Sequence, residues 1–401
     1  GTLPVNYNII INGATAYGST IFSNAAGTTT FGLDTVNSTG ISGGYYSNIL
    51  SGISVASLTA AEGNTGSRYW EIIDSDADNT LDLNLSYVGN QTITSDISTT
   101  KKGAYGFWMK ENDSSTITID GDITTTGSDA IGFYSESSDN NTITINGDIV
   151  TSGTGGNAEP ILLVNSDSNT FTLSGKVHSL GGDQAIAIDV NSDSNTFNIQ
   201  SGATFLGDFE NVGTNTVITN QGTMDGIDNT GSIATFNNAQ TGVAYSGTLP
   251  VNYNIIINGA TAYGQMFVTS EAGSTNFGVS SAPANLSLGK YTNVMTGVSN
   301  TNVGATRTGS LAGNGTSSVG TANWVLSETA AGSSAWDLNI TGNYIYFESI
   351  AKLQNSVNNT ANAMRGAFNS MTSSMNFANM TTYDCNLFGN SGGCVSVGGR
   401  Y

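Results

Sequence analysis

"NDSSTITIDGDI" at 112–123, "SDNNTITINGDI" at 138–149, "SDSNTFTLSGKV" at 166–177 and "SDSNTFNIQSGA" at 192–203 are four versions of one pattern. They start 26, 28 and 26 residues apart, and a weaker relative, "GNQTITSDIS", starts at 89. Apolar and polar residues alternate in each, which is the period of a strand with one buried face. Each then continues into a second apolar segment: "AYGFWM" at 104, "AIGFYS" at 130, "ILLV" at 161 and "AIAIDV" at 185. A repeat in the twenties made of strands, without the fixed Leu and Asn positions of a leucine-rich repeat, indicates a solenoid. Two or three strands in about 26 residues make one coil of a right-handed parallel β-helix. Ile117, Ile143, Phe171 and Phe197 are expected to stack inside as one column, and Ile119, Ile145, Leu173 and Ile199 as the next. Thr118, Thr144, Thr172 and Asn198 face outward between those columns. The Asp-Ser-Asn runs supply turns whose side chains satisfy their own backbone. Coils of this kind are expected over 90–246, the later ones shorter and less regular.

Outward from the coils, the chain is duplicated. "GTLPVNYNIIINGATAYG" occupies 1–18 and returns unchanged at 247–264. The likeness extends further: "FGLD" at 31 answers "FGVS" at 277, and "GGYYSNILSGIS" at 43 answers "LGKYTNVMTGVS" at 288. "RYWEI" at 68 with "LDLNL" at 81 answers "ANWVL" at 322 with "WDLNI" at 336. Two β-rich modules, 1–89 and 247–345, are therefore expected to flank the coils. In the repeated strand Val5, Tyr7, Ile9 and Ile11 point one way, as do Val251, Tyr253, Ile255 and Ile257 in the second copy. Asn6 and Asn8, and Asn252 and Asn254, point the other way. Core filling would require only the inward residues to match, yet both faces match. That pattern suggests an equivalent recognition surface on both copies, and these twelve residues are the candidate self-association surface. The plainer reading is a pair of end caps made by duplication.

Composition narrows the function. Of 401 residues only 10% are charged, against about 25% in an average soluble chain, and Ser, Thr, Asn and 51 glycines stand in for the charges. The net charge is −20, and Lys101–Lys102 is the one adjacent basic pair. Nucleic acid is thereby excluded as an expected partner, since phosphate binding requires clustered Lys and Arg. No run of eighteen apolar residues exists to span a membrane as a helix. Gly1 in place of Met suggests a processed or trimmed chain. Cys385 and Cys394, the only cysteines, are close enough to close a small loop. A disulfide is expected in an oxidising compartment, with a free buried pair as the alternative.

Catalytic chemistry finds little support. Asp113, Asp139, Asp167 and Asp193 recur with the coil, and a row in register at turn positions is most simply a turn ladder. "DSDADNTLD" at 74–82 sets Asp74, Asp76 and Asp78 at the alternate spacing that calcium loops use. It has Asn79 where such loops turn on Gly and Leu85 where they place a Glu, so an optional calcium site stands beside an acidic solvated loop. His178 is the single histidine, and no serine triad, phosphate loop or zinc set can be built from it. No cofactor beyond that calcium is expected, and no enzyme.

After 345 the pattern changes. Ile350, Leu353, Val357, Met364, Phe368, Met371 and Met375 keep helical spacing, predicting an amphipathic helix over about 347–372. "YDCNLFGNSGGCVSVGGRY" follows. A Ser/Thr/Asn/Gly-rich β-helix, a helix and a Cys loop leading into "CVSVGGRY" resemble a bacterial autotransporter passenger followed by its linker and the start of its barrel. The resemblance covers 90–401, and 346–401 is the linker-like segment. A full autotransporter would continue through a barrel of alternating strands, which lies outside this chain. The resemblance implies an extracellular or cell-surface location on a Gram-negative bacterium, associated with the outer membrane, and a barrel in the same precursor as partner.

The leading expectation is a non-enzymatic surface protein that associates with itself end to end into a filament, sheath or layer. The alternative is a monomeric adhesin whose Tyr45, Tyr46, Trp108 and Tyr134 stack on cell-surface glycans. A polysaccharide-degrading β-helix enzyme ranks third.

Overall fold

The computed structural model describes residues 1–13, 16–34, 43–74, 79–156, 158–181, 184–280, 286–312, 318–343 and 345–382. It divides into two compact units, one of 1–311 with 322–342 and one of 312–321 with 343–401.

The first unit is all-β and built on a parallel β-helix. Three stacked sheets run through it, of nine, six and twelve strands. The strands Thr116–Ile119, Thr142–Ile145, Thr170–Leu173 and Thr196–Ile199 pair in parallel, with Ile117, Ile143, Phe171 and Phe197 as register partners. Those four side chains are 0% exposed, and the neighbouring column of Ile119, Ile145, Leu173 and Ile199 is at most 1% exposed. The rings of Phe171 and Phe197 stack at 4.9 Å, as those of Phe107 and Phe133 do at 5.1 Å. Like residues recur one coil apart, about 4.8 Å along the axis, so each column packs on itself. The outward Thr118, Thr144, Thr172 and Asn198 are half-buried because each is flanked along its ladder by the next.

The turns are covalently short and polar for a physical reason. Ser114, Asn140, Ser168 and Ser194 all take left-handed φ values between 54° and 58°, a conformation that small polar residues tolerate. The Asp before each one is a ladder member. Asp113 Oδ1 accepts from the Asp139 N–H at 2.8 Å, Asp139 from Asp167 at 2.8 Å, and Asp167 from Asp193 at 2.7 Å. A buried Asn ladder runs the opposite way. Asn141 Oδ1 accepts from the Ser115 N–H, Asn169 from Asn141, and Asn195 from Asn169, at 2.8–2.9 Å.

From Phe209 onward the coils shorten. Phe209 pairs with Ile227 and Ile227 with Tyr245, each eighteen residues apart. The six-stranded sheet stops at Thr223–Met224, so these coils lose a side rather than continue the longer repeat. The second module is not set apart from the coils. The strand Val243–Thr248 crosses the expected boundary at 246, and Asn252–Ile255 and Met266–Ala272 extend the nine- and twelve-stranded sheets.

The two modules share one architecture. Asn6–Ile9 pairs in parallel with Thr30–Leu33, as Asn252–Ile255 does with Asn276–Val279. Each module then turns antiparallel. Gly44–Ser51, Thr80–Leu85, Arg68–Ile73 and Glu62–Thr65 lie side by side in the first, and Gly289–Thr296, Ala335–Gly342, Thr321–Glu328 and Thr308–Ala312 in the second. Each carries the same bulge. Asn48 (φ 53°) donates its N–H to Asp82, and Asn293 (φ 52°) donates to Asp337. Trp70 meets Phe31 edge-on at 5.0 Å, and Trp324 meets Phe277 at 5.7 Å. These antiparallel strands close the trailing side of each module.

In the second unit, Ser318–Val319 pairs with Ile345–Tyr346, and a helix runs over Phe347–Thr382, ten residues beyond the end expected from spacing. Its Val357, Met364, Phe368, Met371 and Met375 are 55–69% exposed. The helix is not long and apolar enough to cross a membrane.

Candidate functional site

The twelve duplicated residues meet two different environments. In the second copy, Asn252–Ile255 is an interior strand. On one edge it pairs with Asn276–Val279, and on the other with the preceding coil, Thr235 to Asn238. The coil reaches the polar face as well as the backbone. Asn254 Nδ2 donates to Asn237 Oδ1 at 3.0 Å, and Asn252 Nδ2 donates to the Ala234 carbonyl at 3.0 Å. Tyr253 is 0% exposed and stacks obliquely on Phe236 at 5.7 Å.

In the first copy, among the described residues, Asn6–Ile9 pairs only with Thr30–Leu33. Ladder alternation puts the main-chain groups of Asn6 and Asn8 on the other edge. Asn6 and Asn8 are exposed and Tyr7 is half-buried, its hydroxyl bonded to Thr20 Oγ1 at 2.6 Å. Ile10 is 42% exposed, and Ile21, which corresponds to Phe267, is 84% exposed. Ile9 and Ile11 remain buried at 1%, like Ile255 and Ile257, because they pack into the module's own core. Val5 and Val251 depart from the expected inward set. They are 80% and 51% exposed, since each precedes its strand and lies outside the alternation.

Deeper in the modules the copies agree to the atom. The Tyr17 hydroxyl donates to the Ser47 carbonyl at 3.0 Å, and Tyr263 donates to Thr292 at 3.1 Å. Tyr17 crosses Tyr46, and Tyr263 crosses Tyr291, at an interplanar angle of 83° in both. The scaffold of the repeated strand is therefore the same in both places, and what differs is the coil lying against it. A second difference lies on the antiparallel sheet. Asn84 is buried, bonding the Gly103 carbonyl and the Tyr105 N–H of the first coil, whereas its counterpart Asn339 is exposed.

The Asp113–Asp193 row is engaged in the backbone ladder described above, and Asp193 closes it by accepting from Thr214 N–H and Oγ1. Of the three calcium candidates only Asp74 is described; Asp76 and Asp78 lie outside the described residues, as do Cys385 and Cys394. Among the described residues no group of three or more His, Cys, Asp or Glu side chains could hold a metal. Of the four aromatic residues expected on the surface, Tyr46 and Trp108 are buried at 1% and 4%, and Tyr45 and Tyr134 are half-buried. Tyr46 faces the module core, while Trp108 is covered from outside by neighbouring rings. Burial, with Lys176 beside it, holds the His178 imidazole below its usual value.

One group escaped sequence reading. Glu159 is 7% exposed, and burial, reinforced by Glu210 and Asp129, pushes its carboxyl up to about 7. Its Oε2 has no hydrogen-bond partner. The only local signal is an acidic residue beside Pro160 where the register of the neighbouring coils gives Ile131 and Gln184.

No family model, curated protein or solved structure matches this chain.

Proposed function

We propose that this chain is a non-enzymatic structural protein of a bacterial cell surface, which associates with itself through the duplicated strand of its first module. A single observation carries the reading. One eighteen-residue sequence recurs unchanged at 1–18 and 247–264; the preceding coil pairs with its strand in the second copy, and among the described residues the first copy's strand pairs only with Thr30–Leu33. Its polar Asn face, which the coil uses at Asn252 and Asn254, is retained at Asn6 and Asn8.

An unpaired strand edge with apolar flanks invites strand addition. A second copy of the chain supplies backbone and Asn ladders of the required kind. If the contacted surface differs from the contacting one, the association propagates into a filament, sheath or layer. The resemblance to autotransporter passengers adds the setting: outside a Gram-negative cell, with a barrel of the same precursor as the anchor.

Electron microscopy of the native material with and without EDTA tests this. Ordered filaments or sheets support it, and their loss in EDTA would assign calcium to the Asp74–Asp78 loop. Monomers at high concentration, together with a cell surface free of ordered material, would refute it.

A further inference from the structure

A cleft of about 500 Å³ opens where the first module meets the first coils. Trp108 and Tyr134 stand on adjacent strands on the outward side of the twelve-stranded sheet, with rings 6.4 Å apart and 8° from parallel. Tyr105 closes one side, 5.4 Å from Trp108 and 5.0 Å from Tyr134. Tyr69 faces them from the strand Arg68–Ile73, its hydroxyl donating to Glu111. The cleft is a ring-walled chamber on an otherwise polar surface.

It already holds one ammonium group. Lys110 Nζ lies 5.4 Å from the Tyr69 centroid and 5.9 Å from that of Trp108, and pairs with Glu136 at 2.6 Å. A cation over ring faces with a carboxylate behind it is an attractive arrangement. That pair uses Glu136, and the Tyr69 hydroxyl engages Glu111. Glu62 and Glu71, cross-strand partners on the cleft wall, feel Lys110 only at longer range, since its ion pair is with Glu136. The Glu71 carboxyl is raised by burial and then by the charges of Glu136 and Glu62, against hydrogen bonds from Tyr105 and Asn84. Excess negative charge is therefore concentrated on one side of the chamber. Trp108, only 4% exposed, leaves its indole Nε1–H without an acceptor.

We propose that this cleft binds an amino sugar. The protonated amine would sit between Glu62 and Glu71, and the sugar ring would lie on Tyr134 and Tyr105. Uronic acids and phosphorylated sugars do not fit, because the chain carries −20 overall and the cleft wall is anionic. A simple polyamine satisfies the carboxylates but offers no flat face.

The test is calorimetric titration of the full chain at about pH 6, where sugar amines are protonated. The probes are a glucosamine trimer, its N-acetylated form, spermidine and a galacturonate trimer. The glucosamine trimer should bind at least ~10-fold more tightly than each of the others, because only it offers both charge and ring. Glu71→Gln, and the exposed Glu62→Gln that leaves the fold untouched, should each weaken it ~3- to 10-fold. Tyr134→Ala should weaken it by a similar factor. Equal binding of the N-acetylated trimer, equal binding of spermidine, binding unchanged in both Gln variants, or no binding at all would each overturn the proposal.

Discussion

At Asp139 a carboxylate at a turn accepts the N–H of Asp167, and its own N–H goes to Asp113. A row that could pass for a catalytic or cation-binding stripe is thus a set of caps, each tying a coil to the next. The buried Asn ladder is the stricter constraint. Asn169 accepts from the Asn141 N–H and donates to the Ser138 carbonyl at 2.8 Å, with no exposure. Asn169→Ala leaves both groups unsatisfied and should cost about 2–4 kcal/mol in urea unfolding. Glu159 gives a pH-dependent counterpart. Its folded value of about 7 lies above the ordinary 4.5, so the fold favours the protonated form. That contribution is full below about pH 4.5 and is lost as the pH rises through about 7. Glu159→Gln should therefore raise stability at pH 8 by roughly 2 kcal/mol, after allowance for partial solvation, and change it little at pH 4. Denaturant midpoints at the two pH values check the sign.

Between elements, the modules depend on close approach. A Cβ at Gly63 would lie 2.5 Å from the Trp70 ring, and one at Gly309 would lie 2.5 Å from that of Trp324. Either Gly→Ala change should displace the ring that seals its module and cost about 1–3 kcal/mol by thermal melt. In the coils, stability passes from neighbour to neighbour. Phe197 is fully buried between Phe171 and Phe209. Phe197→Ala should cost about 3–5 kcal/mol and split the unfolding seen by calorimetry into two transitions, one on each side of the gap.

For the whole molecule, the duplicated strand allows one substitution to be made twice in identical sequence. A proline at either Asn removes an N–H directed away from the strand's following partner. At 254 that N–H faces the coil, so Asn254→Pro should destabilise the fold by about 3 kcal/mol or more. At 8 it faces the edge that has no strand partner among the described residues, so Asn8→Pro should leave the melting temperature within a few degrees and abolish association. Light scattering beside circular dichroism separates the two effects. Association surviving Asn8→Pro would move the contact away from this strand.

The period of about 26 residues and its alternation determined the solenoid, the two inward columns and the outward Thr rows. These are local properties: a strand's two faces are written in successive residues, and a repeat must stack on itself. The duplication, too, was legible as sequence, down to its matched Asn face. Coil narrowing at Phe209 was legible only as irregularity, because loss of a side is a property of how turns close. What covers each copy of the repeated strand was not legible at all. Asn8 and Asn254 have the same neighbours along the chain, and only the tertiary structure sets Thr235–Asn238 against one while, among the described residues, that edge of the other has no strand partner. The same holds for the cleft, whose Tyr69 comes from the first module and Tyr134 from the coils, and for Glu159, whose charge is perturbed by residues far away in the chain. Periodicity is carried by neighbours in sequence, whereas burial and charge environment are set by neighbours in space.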